Sequence, residues 1–256
     1  MEQEQIRLLV CGCNGAMGKA VVSGAETMDG VSVVAGFDQQ PSSNSKYPVY
    51  NKLNEIQEQI DAVIDFSHRS VAKAIAEFCY EKKIPLVSAT TGIDENTEAY
   101  YHKISDAIPV FRSKNFSYGI SVMKKLVQEA ARLLAEDFDI ELIEAHHNKK
   151  ADAPSGTAQM LLESVQQGAG HGYDICYGRH GNQTVRKQNE LTVHAVRGGT
   201  IVGEHSVIFA GEDEIITISH SALSKKVFAM GALKAMKFLV TKENGFYSMD
   251  DIASIG

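Results

Sequence analysis

A short, mostly apolar run that leads directly into a glycine-rich turn is the feature that most constrains the fold. Ile6–Val10 contains β-branched residues and predicts a buried first strand. The turn Gly12-x-x-Gly15-x-x-Gly18 follows, and Ala20, Val21 and Ala25 then recur with helical spacing. Glycines at such a turn allow a tight strand-to-helix connection and let a pyrophosphate approach the backbone N–H groups. The unit predicts dinucleotide binding, although a glycine-rich turn alone is weak support.

The next strand ends at an acid whose position strengthens this interpretation. Val31–Phe37 is typical of a second strand, and Asp38 lies twenty residues after the last glycine of the turn. A carboxylate there accepts hydrogen bonds from the adenosine ribose and repels a 2′-phosphate, while Gln39 offers no cation to clamp one. We therefore expect NADH or NADPH as cofactor, with NADH preferred. Lys19 or Lys46 would weaken that preference, and the alternative is that Asp38 merely ends a strand.

Strands and helices continue to alternate through residue 116. Helices are predicted from Ser67 and over Glu95–Ile104, and Pro41–Pro48, rich in Ser and Asn, predicts a mobile loop. The further predicted strands are Ala62–Phe66, Pro85–Ser88 and Pro109–Phe111. This order predicts an α/β fold with a Rossmann-type doubly wound parallel sheet, whose ligands bind at the carboxyl ends of the strands. The residues expected to bind the cofactor are Gly12, Cys13, Asn14, Gly15, Ala16, Met17, Asp38, Phe66, Ser67, Ala89, Thr90, Thr91, Ser113, Lys114, Asn115 and Phe116.

The pattern changes after about residue 117. Helices are predicted at Ile120–Leu134, Gly156–Gln166 and Phe228–Leu239. The strands predicted in this part are Asp139–Ala145, Leu191–Val196, Glu204–Ala210 and Glu214–Ser219. The short connections between the later strands predict an α+β region with a mixed or mostly antiparallel sheet.

The segment Glu144–Thr157 places a proton donor beside a helix start. His146 and His147 lie within one turn of Lys150, and Pro154-Ser155-Gly156-Thr157 opens a helical pattern. Either histidine can act as a general acid near neutral pH, and lysine can donate to a reacting nitrogen or carboxylate. The backbone N–H groups of a helix start suit an anion. The segment predicts a small anionic substrate and a reaction that consumes a proton.

Each of these residues also has a plainer interpretation. Ser155 is a common type of helix cap, paired histidines often lie on the surface, and Lys150 is of a type that is usually solvated. Adjacent histidines point to opposite faces of a strand and make a poor chelate, so we expect no metal site. Catalysis is favoured because the donor and the anion site occur together within fourteen residues.

Composition argues against several other classes. The chain of 256 residues has a formal net charge of −7 and no block of Lys or Arg, so we expect no nucleic-acid partner. No apolar stretch approaches the roughly 20 residues of a membrane span, and the acidic first residues are unlike a signal peptide. We therefore expect no membrane partner and a cytoplasmic location. Four cysteines do not resemble a disulfide framework, and Cys11 and Cys13 are interpreted as structural.

These motifs together resemble the 4-hydroxy-tetrahydrodipicolinate reductase family, also called the dihydrodipicolinate reductase family, over nearly the whole chain. The segment around His146 is the most specific part of the resemblance. The motifs that carry it are Gly12-x-x-Gly15-x-Met17-Gly18, Asp65-Phe66-Ser67, Thr90-Thr91-Gly92, Asn115-Phe116-Ser117, Glu144-Ala-His-His-x-x-Lys150-x-Asp-Ala-Pro-Ser-Gly-Thr157, Ile201-Val-Gly-Glu-His205, Phe228-Ala-x-Gly231-Ala and Gly245-Phe-Tyr-Ser-Met-Asp250.

The resemblance implies an enzyme that reduces 4-hydroxy-tetrahydrodipicolinate to tetrahydrodipicolinate with hydride from NAD(P)H, in lysine and diaminopimelate biosynthesis. It implies that His146 is the acid/base histidine and Lys150 the proton donor. The residues implied to hold the carboxylates of this small dicarboxylate substrate are His147, Ser155, Gly156 and Thr157. Residues 1–116 and 226–256 would form the dinucleotide-binding domain, and residues 117–225 a substrate-binding domain that assembles a homotetramer.

Some positions depart from the family pattern, and two rival classes remain open. The departing positions are Ala16, Ala89, Asn148, Lys149, Ser221 and Lys225. A different Rossmann oxidoreductase would be favoured by a catalytic cysteine, or by a lysine pair remote from any Ser-Gly-Thr anion site. A nucleotide-binding sensor without chemistry would lack His146 or Lys150, and both are present.

Overall fold

The computed structural model describes residues 5–40, 45–182 and 184–253. The chain divides into two compact units. The first runs through Tyr118 and resumes at Lys226, and the second is Gly119–Lys225. Residues 41–44 of the predicted loop Pro41–Pro48 lie outside the described residues. Within the described ranges, no helix combines the length and the apolar character needed to cross a membrane.

The elements are numbered in chain order. The strands are β1 (Ile6–Cys11), β2 (Val31–Phe37), β3 (Val49–Tyr50), β4 (Ala62–Asp65), β5 (Leu86–Ser88), β6 (Pro109–Arg112), β7 (Asp139–His146), β8 (Asp174–Tyr177), β9 (Glu190–Arg197), β10 (Glu204–Ala210), β11 (Ile215–Ser221) and β12 (Gly245–Tyr247). The helices are α1 (Ala16–Glu26), α2 (Arg69–Lys82), α3 (Glu95–Ile104), α4 (Tyr118–Leu134), α5 (Gly156–Ala169), α6 (Lys226–Leu239) and α7 (Met249–Ile252).

The first unit is built on a seven-stranded sheet in the order β12-β6-β5-β4-β1-β2-β3. Its pairings are parallel throughout. Because the chain starts at β1 in the middle and builds outward on both sides, the strand order reverses beside β1. Ligands of open α/β sheets bind outside the carboxyl ends of the strands at such a reversal. The predicted Rossmann-type sheet is confirmed.

Helices cover both faces of this sheet. Leu8 and Val10 of β1 share a core with α1 and α6, whereas Leu9 and Cys11 share another with α2 and α3. All four side chains are fully buried. A strand that is buried on both faces has a nearly continuous apolar sequence, because both sets of alternate side chains lie in a core. This explains why β1 is so apolar.

The C-terminal part of the chain returns to the first unit through α6. This helix buries Ala229, Gly231, Ala232, Leu233, Ala235, Met236 and Leu239. A Cβ at Gly231 would lie 1.6 Å from the carbonyl oxygen of Phe116, so glycine is required there. After α6, the chain adds β12 to the edge of the sheet beside β6.

The second unit has a mixed five-stranded sheet in the order β11-β10-β7-β9-β8. β10 is antiparallel to β7 and β11, and β9 is parallel to β7 and β8. Ile140 and Leu142 of β7 pack with α4 and α5 in one core. Alternate side chains point to the other face, where Ile143, Val196 and Ile215 are exposed. The predicted mixed sheet is confirmed.

The predicted element bounds agree with the structure for β2, α3 and β10. The predicted start of a helix at Ser67 was wrong, because α2 begins at Arg69. The Ser67 N–H is donated to the Asp65 carboxylate at 2.8 Å, and the His68 ring caps the helix by accepting the Ser70 N–H. The sequence pattern also misses β3, β8, β12 and α7, which are each only two to four residues long.

Candidate functional site

The turn between β1 and α1 has no room for side chains at two of its glycines. Gly12 has a φ of +75°, and a Cβ there would lie 2.6 Å from the carbonyl oxygen of Phe66. A Cβ at Gly18 would lie 2.1 Å from the Gly12 carbonyl oxygen. Gly15 is the N-cap of α1 and, like Ala16, is exposed. The start of α1 is therefore bare of bulky side chains, which suits close approach by a pyrophosphate.

Asp38 lies beside this turn at the end of β2. Its carboxylate accepts the Asn14 N–H and the Gln40 N–H, each at 3.1 Å. A cavity of about 720 Å³ adjoins these groups. The predicted cofactor residues that line it are Gly12, Asn14, Gly15, Asp38, Phe66 and Ser67. A strand-end acid beside a helix start without bulky side chains is what the ribose and pyrophosphate of a dinucleotide require, so these residues fit that group.

Cys13, Ala16 and Met17 of the predicted set do not line this cavity. Cys13 is buried, and burial first and Asp38 second raise the pKa of its thiol to about 11. Met17 packs against the core that α1 and α6 share. Burial also raises the thiol pKa of the other three cysteines, Cys11, Cys79 and Cys176. Raised thiol pKa values disfavour the rival class with a catalytic cysteine.

A buried carboxylate joins the loops after β4 and β5. Asp65 is fully buried, and burial raises its pKa against the opposing effect of its hydrogen bonds. It accepts the Ser67 N–H at 2.8 Å and the Thr90 hydroxyl at 2.9 Å. The Thr90 hydroxyl is also 3.2 Å from the Ser67 carbonyl oxygen. Asp65 thus orders two predicted cofactor loops, although we did not predict it as a site residue.

The remaining predicted cofactor residues lie on the loops after β5 and β6. Ala89 and Thr90 are buried, whereas Thr91 and Lys114 are exposed. Arg112 donates to the Thr90 carbonyl oxygen at 2.7 Å and so links the two loops. Within the second loop, Ser113 Oγ donates to the Asn115 carbonyl at 2.9 Å, and the Asn115 side chain accepts the Ser117 N–H at 2.8 Å. Phe116 is buried, with its ring centroid 6.2 Å from that of Phe66.

In the second unit, His146 lies at the end of β7 within a buried charged cluster. Its Nδ1 is 2.6 Å from Oε2 of Glu144, which is fully buried. Arg197 of β9 donates to both oxygens of the same carboxylate, at 2.8 and 2.7 Å. Burial opposes ionisation of Glu144, but the hydrogen bonds from Arg197, His146 and the Ser155 N–H outweigh it and lower its pKa. The carboxylate is therefore an anion inside the protein.

Lys150 and His147 occupy the turn that follows β7. The Lys150 N–H donates to the His147 carbonyl oxygen at 3.1 Å. Lys150 Nζ lies 2.9 Å from the Asp152 carboxylate, and the lysine side chain is 20% exposed. His147 is half-buried. The turn keeps an ammonium group near the end of β7, where His146 lies.

Helix α5 begins at the end of this segment. Ser155 is its N-cap, and the Ser155 hydroxyl accepts the Ala158 N–H at 3.1 Å. The same hydroxyl is 3.0 Å from Nε2 of His205 on β10. Ser155 is buried, whereas Gly156 is exposed and Thr157 is half-buried. Gly156 and Thr157 are therefore the more accessible members of the predicted substrate group.

Sequence reasoning missed Glu144, Arg197 and His205 as members of this cluster. Glu144 and His146 lie two residues apart on one strand and so share a face, which is a signal that the spacing already contains. Arg197 and His205 reach the cluster only because β9 and β10 pair with β7. His205 is buried, and its ring lies 5.2 Å from that of His146.

The first unit has a Rossmann-type sheet with a glycine turn that suits a dinucleotide. The second unit, which is joined to it in sequence, carries a buried His-Glu-Arg cluster. Together these features define the class of nucleotide-dependent oxidoreductases. Family models place the chain within that class. The model described as "Dihydrodipicolinate reductase, N-terminus" matches residues 6–116, and "Dihydrodipicolinate reductase, C-terminus" matches residues 119–253. The chain belongs to the dihydrodipicolinate reductase family and is an oxidoreductase.

Similar proteins agree over the full length. The chain is 49% identical to the 4-hydroxy-tetrahydrodipicolinate reductase of Caldanaerobacter subterraneus subsp. tengcongensis, with 98% of this chain and 99% of that protein covered. It is 42% identical to the Clostridium tetani reductase of the same name, with 96% of each covered. The fold resembles that of dipicolinate-bound dihydrodipicolinate reductase from Paenisporosarcina sp. TG-14, with a TM-score of 0.79 and 21% identity. That likeness covers 97% of this chain and 99% of the other.

Proposed function

We propose that this chain reduces 4-hydroxy-tetrahydrodipicolinate to tetrahydrodipicolinate, with hydride from NAD(P)H and loss of water, in lysine and diaminopimelate biosynthesis. The observation that carries the proposal is the segment Glu144–Thr157. In it, the start of α5 is hydrogen-bonded to β7 through the Ser155 N–H and Glu144, and the turn between them carries Lys150, four residues after His146. The relatives described above bear the name of this reductase over 96–98% of the present chain.

The first unit holds the coenzyme in this proposal. NAD(P)H, when bound, supplies the hydride. The N–H groups at the start of α1 bind its pyrophosphate, and Asp38 accepts hydrogen bonds from its adenosine ribose. The loops that contain Phe66–Ser67, Ala89–Thr91 and Ser113–Phe116 are assigned to the rest of the coenzyme. NADH is preferred, because Asp38 would lie against a 2′-phosphate.

The proton comes from the second unit. Hydride addition leaves negative charge on the substrate nitrogen or on the carbon conjugated to it, so an acid or cation must lie nearby. Lys150 is the proposed proton donor, and its ammonium also attracts the dianionic substrate. His146 is the proposed acid/base group that exchanges the proton onward. The ion pair between Lys150 and the largely exposed Asp152 is one that a substrate carboxylate can replace.

The start of α5 is the proposed site for a substrate carboxylate. Gly156 and Thr157 offer accessible backbone at the positive end of the helix. Ser155 contributes by capping the helix, since its hydroxyl already accepts the Ala158 N–H. His147, half-buried beside Lys150, completes the group. The Lys150 ammonium and the start of α5 are two anion-binding features within one short segment, and a small dicarboxylate matches them. Dipicolinate, a small dicarboxylate, is bound in the structural relative from Paenisporosarcina.

We further propose that four copies assemble through the open face of the second sheet. That face exposes Ile143 of β7, Val196 of the neighbouring strand β9 and Ile215 of the edge strand β11. Exposed apolar side chains on one sheet face favour burial against another surface. Light scattering on the purified protein should give four times the chain mass of 27.9 kDa. A monomer mass at micromolar concentration would contradict the assembly.

An enzyme assay tests the proposed reaction. Freshly generated 4-hydroxy-tetrahydrodipicolinate is mixed with NADH or NADPH, and coenzyme oxidation is followed by absorbance. We expect oxidation that requires both the enzyme and this substrate, and none with pyruvate as a simple 2-oxo acid control. Equal oxidation with pyruvate, or none with the cyclic substrate, would contradict the proposal.

A further inference from the structure

The buried carboxylate of Glu144 makes four hydrogen bonds, two at each of its oxygens. Oε2 lies 2.6 Å from His146 Nδ1 and accepts from Arg197 Nη1 at 2.8 Å. Oε1 accepts from Arg197 Nη2 at 2.7 Å and from the Ser155 N–H at 3.0 Å. Each oxygen therefore uses both of its lone-pair directions.

These contacts determine which nitrogen of His146 carries hydrogen. The guanidinium and the backbone N–H can only donate, so the carboxylate must accept from both. An ionised carboxylate has no proton of its own to give, and the hydrogen between Glu144 and His146 must belong to Nδ1. Nε2 is then the nitrogen that gains and loses a proton. A Cβ at Gly203 would lie 3.1 Å from Nε2, so a side chain at that position would crowd this nitrogen.

Arg197 joins this cluster to the turn that carries Lys150. Besides holding Glu144, its Nη2 donates to the carbonyl oxygen of Asp152 at 2.7 Å. Asp152 in turn pairs with Lys150 at 2.9 Å. One guanidinium therefore positions both proposed catalytic side chains. A lysine ammonium, which is a single point charge, could not donate these hydrogen bonds with the same geometry.

We propose that Glu144 and Arg197 are positioning residues that hold His146 in the Nδ1–H tautomer, with Nε2 directed to the chemistry. This inference rests on the proposed function, in which His146 exchanges the substrate proton. The logic is that of carboxylate–histidine pairs elsewhere, where the carboxylate orients the ring and selects its tautomer without reacting itself.

Glu144→Gln is a sharp test because an amide cannot satisfy four donors. With the amide NH₂ at the Oε1 position, it would face Arg197 and the Ser155 N–H, and neither can become an acceptor. At the Oε2 position it faces Arg197 and His146, and the imidazole can respond by accepting at Nδ1. The variant should therefore trap the opposite tautomer, with hydrogen on Nε2.

The readout is nitrogen NMR of histidine-labelled protein, with kinetics alongside. In the wild-type chain, alkaline spectra should show His146 protonated at Nδ1, and Glu144→Gln should reverse this. The variant should lose about 10²–10⁴ in kcat, with KM and NADH binding unchanged. A merely structural role would not invert the tautomer.

Glu141→Gln is the matched control. Glu141 lies on the same strand but on the opposite face, and it also contacts an arginine and a histidine, Arg179 and His194. Glu141→Gln should leave both the tautomer of His146 and kcat unchanged. Arg197→Lys keeps the charge but loses the fork, and should give an intermediate loss of kcat.

The outcomes separate the two proposals. Hydrogen on Nε2 of His146 in the wild-type chain would overturn this inference even if Glu144→Gln failed to fold, and so would a folded Glu144→Gln enzyme with normal kcat. If the wild-type enzyme failed to reduce the cyclic substrate, the proposed function would fall, and the tautomer measurement would still decide how Glu144 acts on His146.

Discussion

Asp38 is the residue on which the proposed choice between the two coenzymes depends. Its carboxylate borders the cavity beside the glycine turn, and Gln39 and Gln40 next to it carry no charge. The Lys46 ammonium is 2.6 Å from the Glu26 carboxylate, whereas Lys19 lines the cavity itself.

We expect kcat/KM for NADH to exceed that for NADPH by about tenfold or more, since a like-charge contact near a protein surface costs on the order of 1–4 kcal/mol. Asp38→Ala should narrow the gap, and Lys19→Gln should widen it. Steady-state kinetics with both coenzymes measure this, and a wild-type preference for NADPH would refute it.

His205 carries a second residue-scale prediction, for stability against pH. Burial, followed by the neighbouring His146, lowers the pKa of His205 from 6.5 to about 4, while Glu144 acts in the opposite direction. His220 and Lys150 also lower this pKa. Between pH 6.5 and 4 the unfolded chain therefore binds a proton that the folded chain does not. This contribution to stability is complete above pH 6.5 and is lost as the pH falls towards 4.

The free energy of unfolding should fall by up to about 3 kcal/mol through this group, because each pKa unit corresponds to about 1.4 kcal/mol. Other groups titrate in the same window, so the comparison is with His205→Gln, which cannot take up a proton. Urea unfolding at several pH values should give a shallower pH dependence for the variant. Parallel curves for the two proteins would show that His205 is not held neutral.

At the scale of elements, α5 depends on contacts that its own sequence does not contain. Ser155 caps the helix through the Ala158 N–H, while its own N–H is held by Glu144 of β7 and its hydroxyl by His205 of β10. The helix start is thereby fixed to two strands of the sheet.

Ser155→Ala should lower the free energy of unfolding by about 1–2 kcal/mol for the lost cap, with a further loss of about 1–3 kcal/mol if His205 is left without its partner. KM for the substrate should rise, because the first turn of α5 loses its position. Ser164→Ala, in the middle of the same helix, removes a hydroxyl that donates only to the Met160 carbonyl. We expect a clearly smaller change for that control, and equal effects would argue against a specific role of the cap.

The elements also show how far sequence patterns reach. The apolar runs of β2 and β10 and the capped helix α3 were predictable because each is at least seven residues long and has a clear period or cap. β3, β8 and β12 have two to four residues, which is too short for a period to emerge. The pairing of β7 with both β9 and β10 follows from tertiary packing, and so does the place of Arg197 and His205 in the site.

At the scale of the whole molecule, the first unit is completed by a distant part of the chain. α6 buries its apolar residues in the same core as Leu8, Val10 and α1. The contact of Gly231 with Phe116 brings the returning helix against the loop after β6. The sequence suggests the return of the last helix, but this close contact depends on how the two segments pack in three dimensions.

The central claim for the whole molecule is that the second unit supplies the proton while the first unit binds the coenzyme. Lys150→Ala tests it most directly, with Lys149→Ala as control because Lys149 is the adjacent, exposed lysine. We expect Lys150→Ala to lose about 10²–10⁴ in kcat while its dissociation constant for NADH, measured by fluorescence titration, stays at the wild-type value. Lys149→Ala should match the wild type in both. A Lys150→Ala enzyme with near-normal kcat, or one that had lost NADH binding, would contradict the account.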